Sequence, residues 1–464
     1  MVGRRPLEIL RKWHQEHGPI VSFWYGTTPA LSIGSYDIAH QLLNKRSSIY
    51  SSRPRFFIAS EKMTNGLTTL LMPYGKKLQN QQRMITPMLD SRALRQYRTL
   101  EDMESKQTLV ELLSAEDFDK SITRYAGSVI MSLAYGIRLQ DMESEMPAKL
   151  LDLNTKIFEA MTSTYSNLVD LFPALNSLPP WLKPWEKPVQ TAERFITDFH
   201  MENMATAQSS PWNWVQEAMA SKPGSQISDK EIAYVIGTLQ QGGFEITLAV
   251  VRLVIKAMVL FPNFLEKAQE ELDRVVGPDR LPSFDDQAQL PYVNALITEA
   301  LRWQPPAPVI PHATTEDDEY MGYRFSKGTV IIPNVTAMCR DPAVFPDPHR
   351  YNPERWLEDA GLQHNAFGFG RRTCPGGGLG MNMIFILVAR VLWGYDVTYV
   401  YRDGKAVDVD PMGEKFPFAS LTMPFQASLI VRGPEKREVI EREWAASGKD
   451  TNEILAGIGA SRSG

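Results

Sequence analysis

Cysteine is scarce in this chain, since Cys339 and Cys374 are the two cysteines among 464 residues. Two cysteines are too few for a disulfide framework, so we expect a reducing compartment and a thiol or thiolate as the form of any special cysteine. A run of about 18 uncharged apolar residues, as a membrane-spanning helix needs, is also missing. The net charge is −5, and there is no block of five or six basic residues. These absences argue against a nucleic-acid partner and predict a soluble chain.

What is present is an ordinary globular composition, with 43% apolar and 22% charged residues. Such a composition is far from the signature of disorder. The length gives a prior of about three domains, although large helical enzymes exceed the usual domain size around one cofactor. No signal peptide or apolar leader opens the chain, so we expect folded structure from the start. We expect residues 440–464 to be a flexible tail.

Hydrophobic periodicity predicts a mostly α-helical protein with a small β region. Ser228 and Glu231 form a capping box at the start of an apolar helix that reaches about Leu260. A second buried helix is predicted at 377–393, directly after a glycine-rich loop. The predicted strands lie at 20–24, 30–33, 320–325, 329–332, near 397–401 and at 428–431. The segments 320–325 and 329–332 are expected to pair as a hairpin.

The glycine-rich loop carries the main chemical signal, because it places one thiol in a turn before a helix. Its sequence is Phe367-Gly368-Phe369-Gly370-Arg371-Arg372-Thr373-Cys374-Pro375-Gly376. Backbone N–H groups, the positive helix end and the two arginines are expected to stabilise a thiolate at Cys374. The glycines would let a flat ligand approach the backbone closely. An isolated cysteine of this kind is more often a buried structural thiol, so the flanking pattern decides.

The loop resembles the haem-binding signature of the cytochrome P450 family, Phe-x-x-Gly-x-Arg-x-Cys-x-Gly. Three further segments resemble motifs of that family in the same order along the chain. They are Gly242-Gly243-Phe244-Glu245, similar to the oxygen-binding segment, Glu299-Ala300-Leu301-Arg302, similar to the E-x-x-R helix motif, and Pro353-Glu354-Arg355-Trp356, similar to the P-E-R-F segment. The resemblance covers nearly the whole chain and implies one cytochrome P450 catalytic domain over residues 1–464.

The resemblance implies one haem b, with Cys374 as the axial iron ligand whose electron density favours O–O cleavage. The remaining cofactor-binding positions that it implies are Phe367, Gly368, Gly370, Gly376 and Arg372. Arg372 and His312 would contact the haem propionates, although His312 can equally be an ordinary surface histidine. Glu299 and Arg302 would join Arg355 in a buried network that supports the cysteine loop rather than performing chemistry.

Zinc and dinucleotide sites are the alternatives that the spacing disfavours. Cys339, His349 and His364 show neither C-x-x-C nor H-x-x-x-H spacing, so a zinc site is not expected. Gly368 and Gly370 follow no strand and lack the third glycine of a dinucleotide fingerprint. Reducing equivalents are therefore expected from a partner.

The sequence departs from the family's usual pattern at two places. Ile246 stands where most members have a threonine that supports oxygen activation. Thr247 follows, but one helical step turns a side chain by about 100°, so it can replace that threonine only if the helix is bulged. Glu245 can deliver protons through water or can be an exposed helix glutamate. The catalytic candidates are thus Glu245, Ile246 and Thr247.

The second departure concerns the family's W-x-x-x-R motif, which contacts a propionate. Leu78 and Gln82 stand at those two positions. Arg83 is displaced by one residue and is the candidate that would compensate.

Three functions of different classes remain open. The first is a monooxygenase that oxidises a small apolar, aromatic or polyketide-like secondary metabolite. The second is the same haem-thiolate scaffold performing oxidative coupling, ring closure or rearrangement without net oxygen insertion, and the third is a non-catalytic haem sensor. The expected substrate pocket includes Phe244, Ile246, Val309, Ile310 and the turn of Leu421 and Thr422, besides the 53–71 loop. These positions are largely apolar but do not identify a substrate.

The resemblance to fungal secondary-metabolism members also implies partners and a location. Electrons would come from an NADPH-cytochrome P450 reductase, with cytochrome b5 as a further donor, and the protein would be a monomer. Full-length members usually sit on the cytosolic face of the endoplasmic reticulum through an N-terminal anchor, which this chain lacks. A reductase-docking face is expected from Lys76, Lys77, Arg83, Arg371 and Arg372.

Overall fold

A computed structural model describes residues 6–413 and 422–463. Helices form most of it, as the sequence predicted. In chain order they are α1 (Pro6–His17), α2 (Tyr36–Ala39), α3 (Ser47–Tyr50), α4 (Lys76–Ile85), α5 (Ser91–Leu112), α6 (Phe118–Tyr135), α7 (Glu145–Thr162), α8 (Thr164–Leu171), α9 (Glu186–Thr206), α10 (Trp214–Ala220), α11 (Asp229–Leu260), α12 (Pro262–Val275), α13 (Pro291–Trp303), α14 (Val335–Cys339), α15 (Arg355–Glu358), α16 (Gly377–Gly394), α17 (Pro434–Ala445) and α18 (Thr451–Ser463).

Within the described residues the strands form four small sheets. They are β1 (Ile20–Tyr25), β2 (Thr28–Ile33), β3 (His312–Ala313), β4 (Asp318–Tyr320), β5 (Tyr323–Phe325), β6 (Val330–Pro333), β7 (Tyr395–Tyr399), β8 (Tyr401–Arg402), β9 (Lys405–Ala406) and β10 (Ala427–Val431). The four-stranded sheet has the order β1-β2-β6-β3, with β2 and β6 parallel. The two strands predicted near 397–401 and at 428–431 are confirmed as β7 and β10, which pair with each other antiparallel.

The long helix α11 begins and ends where the sequence predicted. Ser228 caps it, and its side chain accepts a hydrogen bond from the backbone N–H of Glu231 at 3.2 Å. Its 32 residues correspond to about 48 Å at 1.5 Å per residue. The helix packs against α6 and α16, and both of these pack against α5. These four helices form the centre of the core.

Helix α16 is a core helix, as the sequence predicted. Among the described residues it is the one segment apolar and long enough to cross a membrane, but 72% of it is buried inside the protein. Arg390 near its end is 2% exposed and donates to the carbonyl of Pro282 and the side chain of Asp102. Its apolar residues therefore serve the interior of the fold.

The predicted hairpin between 320–325 and 329–332 is wrong. Instead, β4 and β5 pair with each other through a two-residue turn, in which Tyr320 lies opposite Tyr323. The turn residues Met321 and Gly322 have φ values of 53° and 78°, which suits a tight hairpin turn. Strand β6 pairs in parallel with β2, a partner about 300 residues earlier that a local pattern does not reveal.

The predicted flexible tail is also wrong, because residues 451–463 form helix α18. Leu455 and Ile458 are buried, with exposures of 0% and 3%. An added Cβ on Gly459 would lie 2.9 Å from the Cβ of Trp212, so the helix approaches its neighbour closely. The guanidinium of Arg462 pairs with the carboxylate of Glu217. The end of the chain is thus anchored by apolar burial and an ion pair.

Candidate functional site

The cysteine loop is held in a tight turn by a hydrogen bond within its own backbone and by a side chain from an earlier part of the chain. The N–H of Cys374 donates to the carbonyl of Phe367 at 2.8 Å, and the N–H of Gly370 donates to the side-chain oxygen of Asn44 at 2.6 Å. Gly370 has φ 54°, and an added Cβ there would lie 2.1 Å from the carbonyl oxygen of Leu43. Any side chain at this position would collide with backbone, which explains the glycine.

Cys374 is an exposed residue, whereas Cys339 is buried. Although Cys374 as a whole is exposed, the surrounding loop removes water from its thiol, and this desolvation raises the pKa of the thiol. Backbone N–H groups of Gly376 and Gly377 act in the opposite direction. A thiolate here therefore depends on a further positive charge, such as a bound metal ion, to become the stable form.

The prediction that the flanking arginines stabilise the thiolate is wrong, because neither arginine contributes to the pKa shift of Cys374 and both guanidinium groups bind other partners. Arg371 donates to the hydroxyl of Tyr74 and stacks over its ring, with 5.3 Å from the guanidinium carbon to the ring centroid. Arg372 donates to the carbonyls of Ser51, Thr69 and Met72.

Two arginines that are largely withdrawn from solvent, Arg53 and Arg372, lie beside the cysteine loop. Arg53 is 6% exposed and donates to the carbonyls of Leu70 and Pro311 at 3.0 and 2.8 Å. Burial lowers the pKa values of Arg53 and Arg372, that of Arg372 to about 10, and repulsion by the charge of Arg372 lowers the pKa of Arg53 further. In the described part of the chain, the hydrogen bonds of both guanidinium groups go to carbonyl oxygens rather than carboxylates.

His312 lies near the same two arginines, and the alternative that it is a surface histidine is wrong. It is 4% exposed, and Nδ1 lies 2.8 Å from the carbonyl oxygen of Tyr50. Burial lowers its pKa to about 3, and the charges of Arg53 and Arg372 act in the same direction. The imidazole is therefore neutral at neutral pH and can contact an anion without adding charge.

These features fit haem. Arg53 is buried and Arg372 is half-buried, and neither has a carboxylate partner among the described residues. Charges withdrawn from water are normally paired, so the two guanidinium groups form a site for a dianionic group. Open space adjoins the cysteine loop and α11, because an added Cβ on Gly376 or Gly242 would meet no heavy atom within 4 Å. Cys374 opens toward solvent beside Gly376 and supplies a sulfur ligand. The donor set thus matches the iron and the propionates of one flat cofactor.

The structure brings Glu299, Arg302 and Arg355 together in a buried network. The carboxylate of Glu299 accepts from Nη2 and Nε of Arg302 at 2.7 and 2.8 Å, and from Nε of Arg355 at 3.3 Å. Glu299 and Arg302 are both 0% exposed. Arg302 also donates to the carbonyls of Cys339 and Pro348, each at 2.8 Å. The network therefore ties α13 to the chain that leads into the cysteine loop.

Helix α11 is α-helical without interruption from Asp229 to Leu260. The bulge that would turn Thr247 into the position of Ile246 is therefore absent. Thr247 is 2% exposed, and its hydroxyl lies 3.9 Å from an ideal Cβ on Gly380 in α16. Ile246 is half-buried and shares a face with the exposed Gly242, four residues earlier. The side chain beside the open space is thus isoleucine.

Glu245 is half-buried rather than an exposed helix glutamate. Its Oε2 accepts a hydrogen bond from the side-chain amide of Asn154 in α7 at 2.9 Å. Asn154 is 4% exposed. The carboxylate is therefore oriented by a second helix next to the open space above Gly242.

Two of the predicted pocket residues point elsewhere. Phe244 is 1% exposed and lies in the main core, with its ring 3.5 Å from an ideal Cβ on Gly127. Two helical steps correspond to about 200°, so Phe244 and Ile246 cannot line the same pocket. Val309 packs with Leu7 of α1 in a separate cluster.

The remaining predicted pocket positions are Ile310, Thr422 and Leu421. Ile310 is half-buried, and its carbonyl accepts from Arg53 at 3.5 Å. Thr422 is 5% exposed. Leu421 lies outside the described residues.

Arg83 does not take the place of the arginine that the family usually has. It is exposed on α4, because a shift by one residue rotates the side chain by about 100°. Gln82 instead reaches the cysteine loop, and its side-chain amide donates to the carbonyl of Arg371 at 3.0 Å. Leu78 is 0% exposed.

Sequence reasoning missed Asn44, Arg53 and Asn154 as members of the site. Each acts through a contact with a residue far along the chain: Asn44 with Gly370, Arg53 with Pro311 and Asn154 with Glu245. Arg53 does lie in the 53–71 loop that the sequence assigned to the substrate pocket, but the sequence does not indicate that its guanidinium is buried.

Comparisons with known proteins agree with this architecture. The cytochrome P450 family profile matches residues 2–419. Cytochrome P450 monooxygenase FrzL of Cladobotryum sp is 37% identical over 98% of this chain and 89% of its own length. The monooxygenase aneD of Aspergillus aculeatus has the same identity and coverage. The monooxygenase peniB of Penicillium patulum is 35% identical over 96% of this chain and 84% of its own.

A solved zebra fish cytochrome P450, in a structure with abiraterone, shares the fold. Its TM-score is 0.75 at 19% sequence identity, and the match covers 92% of this chain and 100% of that chain. The fold and the motifs therefore agree with relatives matched along nearly the whole sequence. The protein belongs to the cytochrome P450 family, as a haem-dependent oxidoreductase of the fungal secondary-metabolism type.

Proposed function

We propose that this protein binds haem b through Cys374 and inserts oxygen into a small apolar secondary metabolite, aromatic or polyketide-like. The observation that carries the proposal is the cysteine loop facing open space beside the buried Arg53 and the half-buried Arg372, whose hydrogen bonds in the described part of the chain go to carbonyl oxygens and not to carboxylates. Arg53, Arg372 and His312 would hold the propionates. Haem with an axial thiolate supplies the activation of dioxygen. The network around Glu299 would hold the loop in place.

The substrate is best found by comparing metabolites of a fungal strain with and without this protein. A compound that accumulates in its absence is then offered to the purified protein with a reductase, NADPH and isotopically labelled dioxygen. Label in the product supports monooxygenation. An oxidised product without label would instead indicate oxidative coupling or ring closure. If no product forms with NADPH, the result would favour a non-catalytic haem sensor.

Ile246→Thr tests whether residue 246 faces the reacting oxygen. We expect this variant to raise the fraction of NADPH that reaches product by about twofold or more, because a hydroxyl supplies a proton donor where isoleucine has none. Hydrogen peroxide release should fall in parallel.

Thr247→Ala is the matched control and should leave the product yield unchanged, because Thr247 is buried against α16. A silent Ile246→Thr beside a strongly impaired Thr247→Ala would contradict the uninterrupted helix. If Ile246→Thr instead adds a hydroxylated side product, the isoleucine serves to exclude water.

We infer that electrons come from an NADPH-cytochrome P450 reductase, with cytochrome b5 as a second donor. Lys76 and Lys77 are exposed at the start of α4, whose Gln82 contacts the cysteine loop. Replacing both lysines by alanine should slow the first reduction several-fold at low salt and less at high salt, because exposed charges are screened.

The matched control replaces Lys327 and Lys405, which are exposed elsewhere, at a turn and in β9 respectively. A Lys76 and Lys77 variant that is reduced at low salt as fast as the control variant would remove this face from the proposal. Arg372 no longer belongs to it, since its guanidinium points inward.

We further propose that the protein rests on the cytosolic face of the endoplasmic reticulum through an apolar patch. The side chains that would form it are Trp24, Leu168, Phe172, Trp181 and Leu182, with Trp24 and Trp181 71% and 79% exposed. The end of β1 lies against α8, because the hydroxyl of Tyr25 donates to the side chain of Asn167 at 3.2 Å. Exposed apolar patches mark interaction surfaces, and tryptophan favours membrane interfaces. Trp24→Ala with Trp181→Ala should weaken binding to phosphatidylcholine vesicles by about tenfold, or about 1.4 kcal/mol.

Tyr401→Ala with Ile430→Ala is the control, because both residues are exposed elsewhere, at 65% and 55%. Equal vesicle binding by the two double variants would contradict the patch. A flotation assay gives the bound fraction.

A further inference from the structure

A polar seam follows one face of α11 beneath α7 and α9. Tyr234, Gln241 and Glu245 lie seven and four residues apart, so they point within about 40° of one another. Each meets a polar side chain of a covering helix. The pairs are Tyr234 with Thr197, Gln241 with His200, and Glu245 with Asn154.

The outer end of the seam reaches solvent. The hydroxyls of Thr197 and Tyr234 are 2.6 Å apart. The hydroxyl of Thr197 also donates to Oε1 of Glu193 at 3.1 Å, and the side chain of Glu193 is 26% exposed. Protons can therefore enter here from bulk water.

His200 occupies the middle of the seam and is 1% exposed. Its ring lies against the backbone of α11, because an added Cβ on Gly237 would be 2.2 Å from its Cε1. Nε2 is 3.4 Å from the side-chain nitrogen of Gln241. Nδ1 is buried and has no hydrogen-bond partner among the described residues. A buried polar atom of this kind normally binds an ordered water.

The inner end of the seam is Glu245, one helical turn beyond Gln241. Asn154 fixes its Oε2, and Gly242 beside it borders open space. From Tyr234 to Glu245 the seam spans about 16 Å, at 1.5 Å per residue. It thus joins the surface near Glu193 to the edge of the proposed haem site.

We propose that His200 is a positioning residue that anchors ordered water in this seam, and that the water supplies protons to Glu245. The proposal rests on the proposed function, because it requires dioxygen to react in the open space beside Gly242 and Glu245. Each proton that Glu245 gives up is replaced by one from the neighbouring water, and the outermost water regains its proton from solvent near Glu193. No oxidant or reductant is needed for this step.

The test measures how dioxygen is reduced in the absence of substrate. Two-electron reduction to hydrogen peroxide consumes two protons, whereas one-electron reduction to superoxide consumes none. The assay contains haem-loaded protein, reductase and NADPH. In it, His200→Phe should lower the ratio of peroxide to superoxide by about fivefold. This effect is smaller than that of removing a general acid itself, because His200 acts only through the water that it positions. His200→Gln, which keeps a polar group, should stay within about twofold of the unchanged protein.

Tyr292→Phe is the matched control, because the Tyr292 hydroxyl is another buried group without a partner among the described residues and lies on α13. Its ratio should not change. The carbon monoxide spectrum and the melting temperature show that each variant is folded. A crystal structure gives a readout independent of turnover, and water should lie within hydrogen-bond distance of Nδ1 of His200 but be absent in His200→Phe.

Three results would overturn the proposal. They are an unchanged ratio of peroxide to superoxide in His200→Phe, a crystal structure without an ordered water at Nδ1 of His200, and a His200→Gln variant that is as impaired as His200→Phe. A different result would contradict the proposed monooxygenation, namely that no labelled product forms from the fungal metabolites. The dioxygen measurement uses no such substrate, so the two failures are distinguishable.

Discussion

Cys374→Ser is expected to abolish the thiolate-type absorption of the reduced carbon monoxide complex. A serine hydroxyl does not supply the soft, electron-rich sulfur on which that spectrum depends. Difference spectroscopy of the purified, haem-loaded variant measures the effect. Complete loss is expected, since no second thiol is close enough to replace the first.

Cys339→Ser is the matched control and should keep the spectrum. Cys339 is 0% exposed in α14, and its thiol donates to the carbonyl of His364 at 3.0 Å. Burial raises the pKa of this thiol to about 12, so it stays protonated. If the two variants behaved the other way round, Cys339 would be the ligand and the proposed site would be wrong.

Glu299→Ala is expected to cost about 3–5 kcal/mol in the free energy of unfolding, because it leaves the guanidinium of Arg302 buried without its carboxylate. Such a loss is a large part of the roughly 5–15 kcal/mol that stabilises a typical protein. The N–H groups of Asn352 and Trp356 that donate to Glu299, at 2.8 and 2.9 Å, lose their acceptor as well. We expect little haem-loaded protein and a melting temperature lowered by several degrees.

Glu145→Ala provides the control for this loss of charge. Glu145 forms an exposed pair with Lys149 on α7 at 3.1 Å, and such pairs contribute about 0.3–0.5 kcal/mol. A Glu299→Ala protein that retained normal haem content and melting temperature would show that the buried network is dispensable. Chemical unfolding of both variants gives the comparison.

Local signals in the sequence predicted the features that local interactions determine. The capped start of α11 at Ser228, the glycine turn before Cys374 and the apolar length of α16 follow from side chains near in sequence. Helix geometry alone places Phe244 nearly opposite Ile246, so the assignment of both residues to one substrate pocket was already inconsistent with a helix. The Glu299 and Arg302 spacing indicated a pair, but their burial came from packing.

By itself, the sequence determined the helical class, the family and the single thiol at a haem-type loop, because each depends on short segments with fixed backbone geometry. Only the tertiary structure decided which distant residues complete the site. The β2–β6 pairing, the anchoring of α18, the inward turn of Arg372 and the approach of Asn154 and His200 to α11 join positions tens to hundreds of residues apart. Such contacts form because buried polar groups must find partners and apolar faces must be covered.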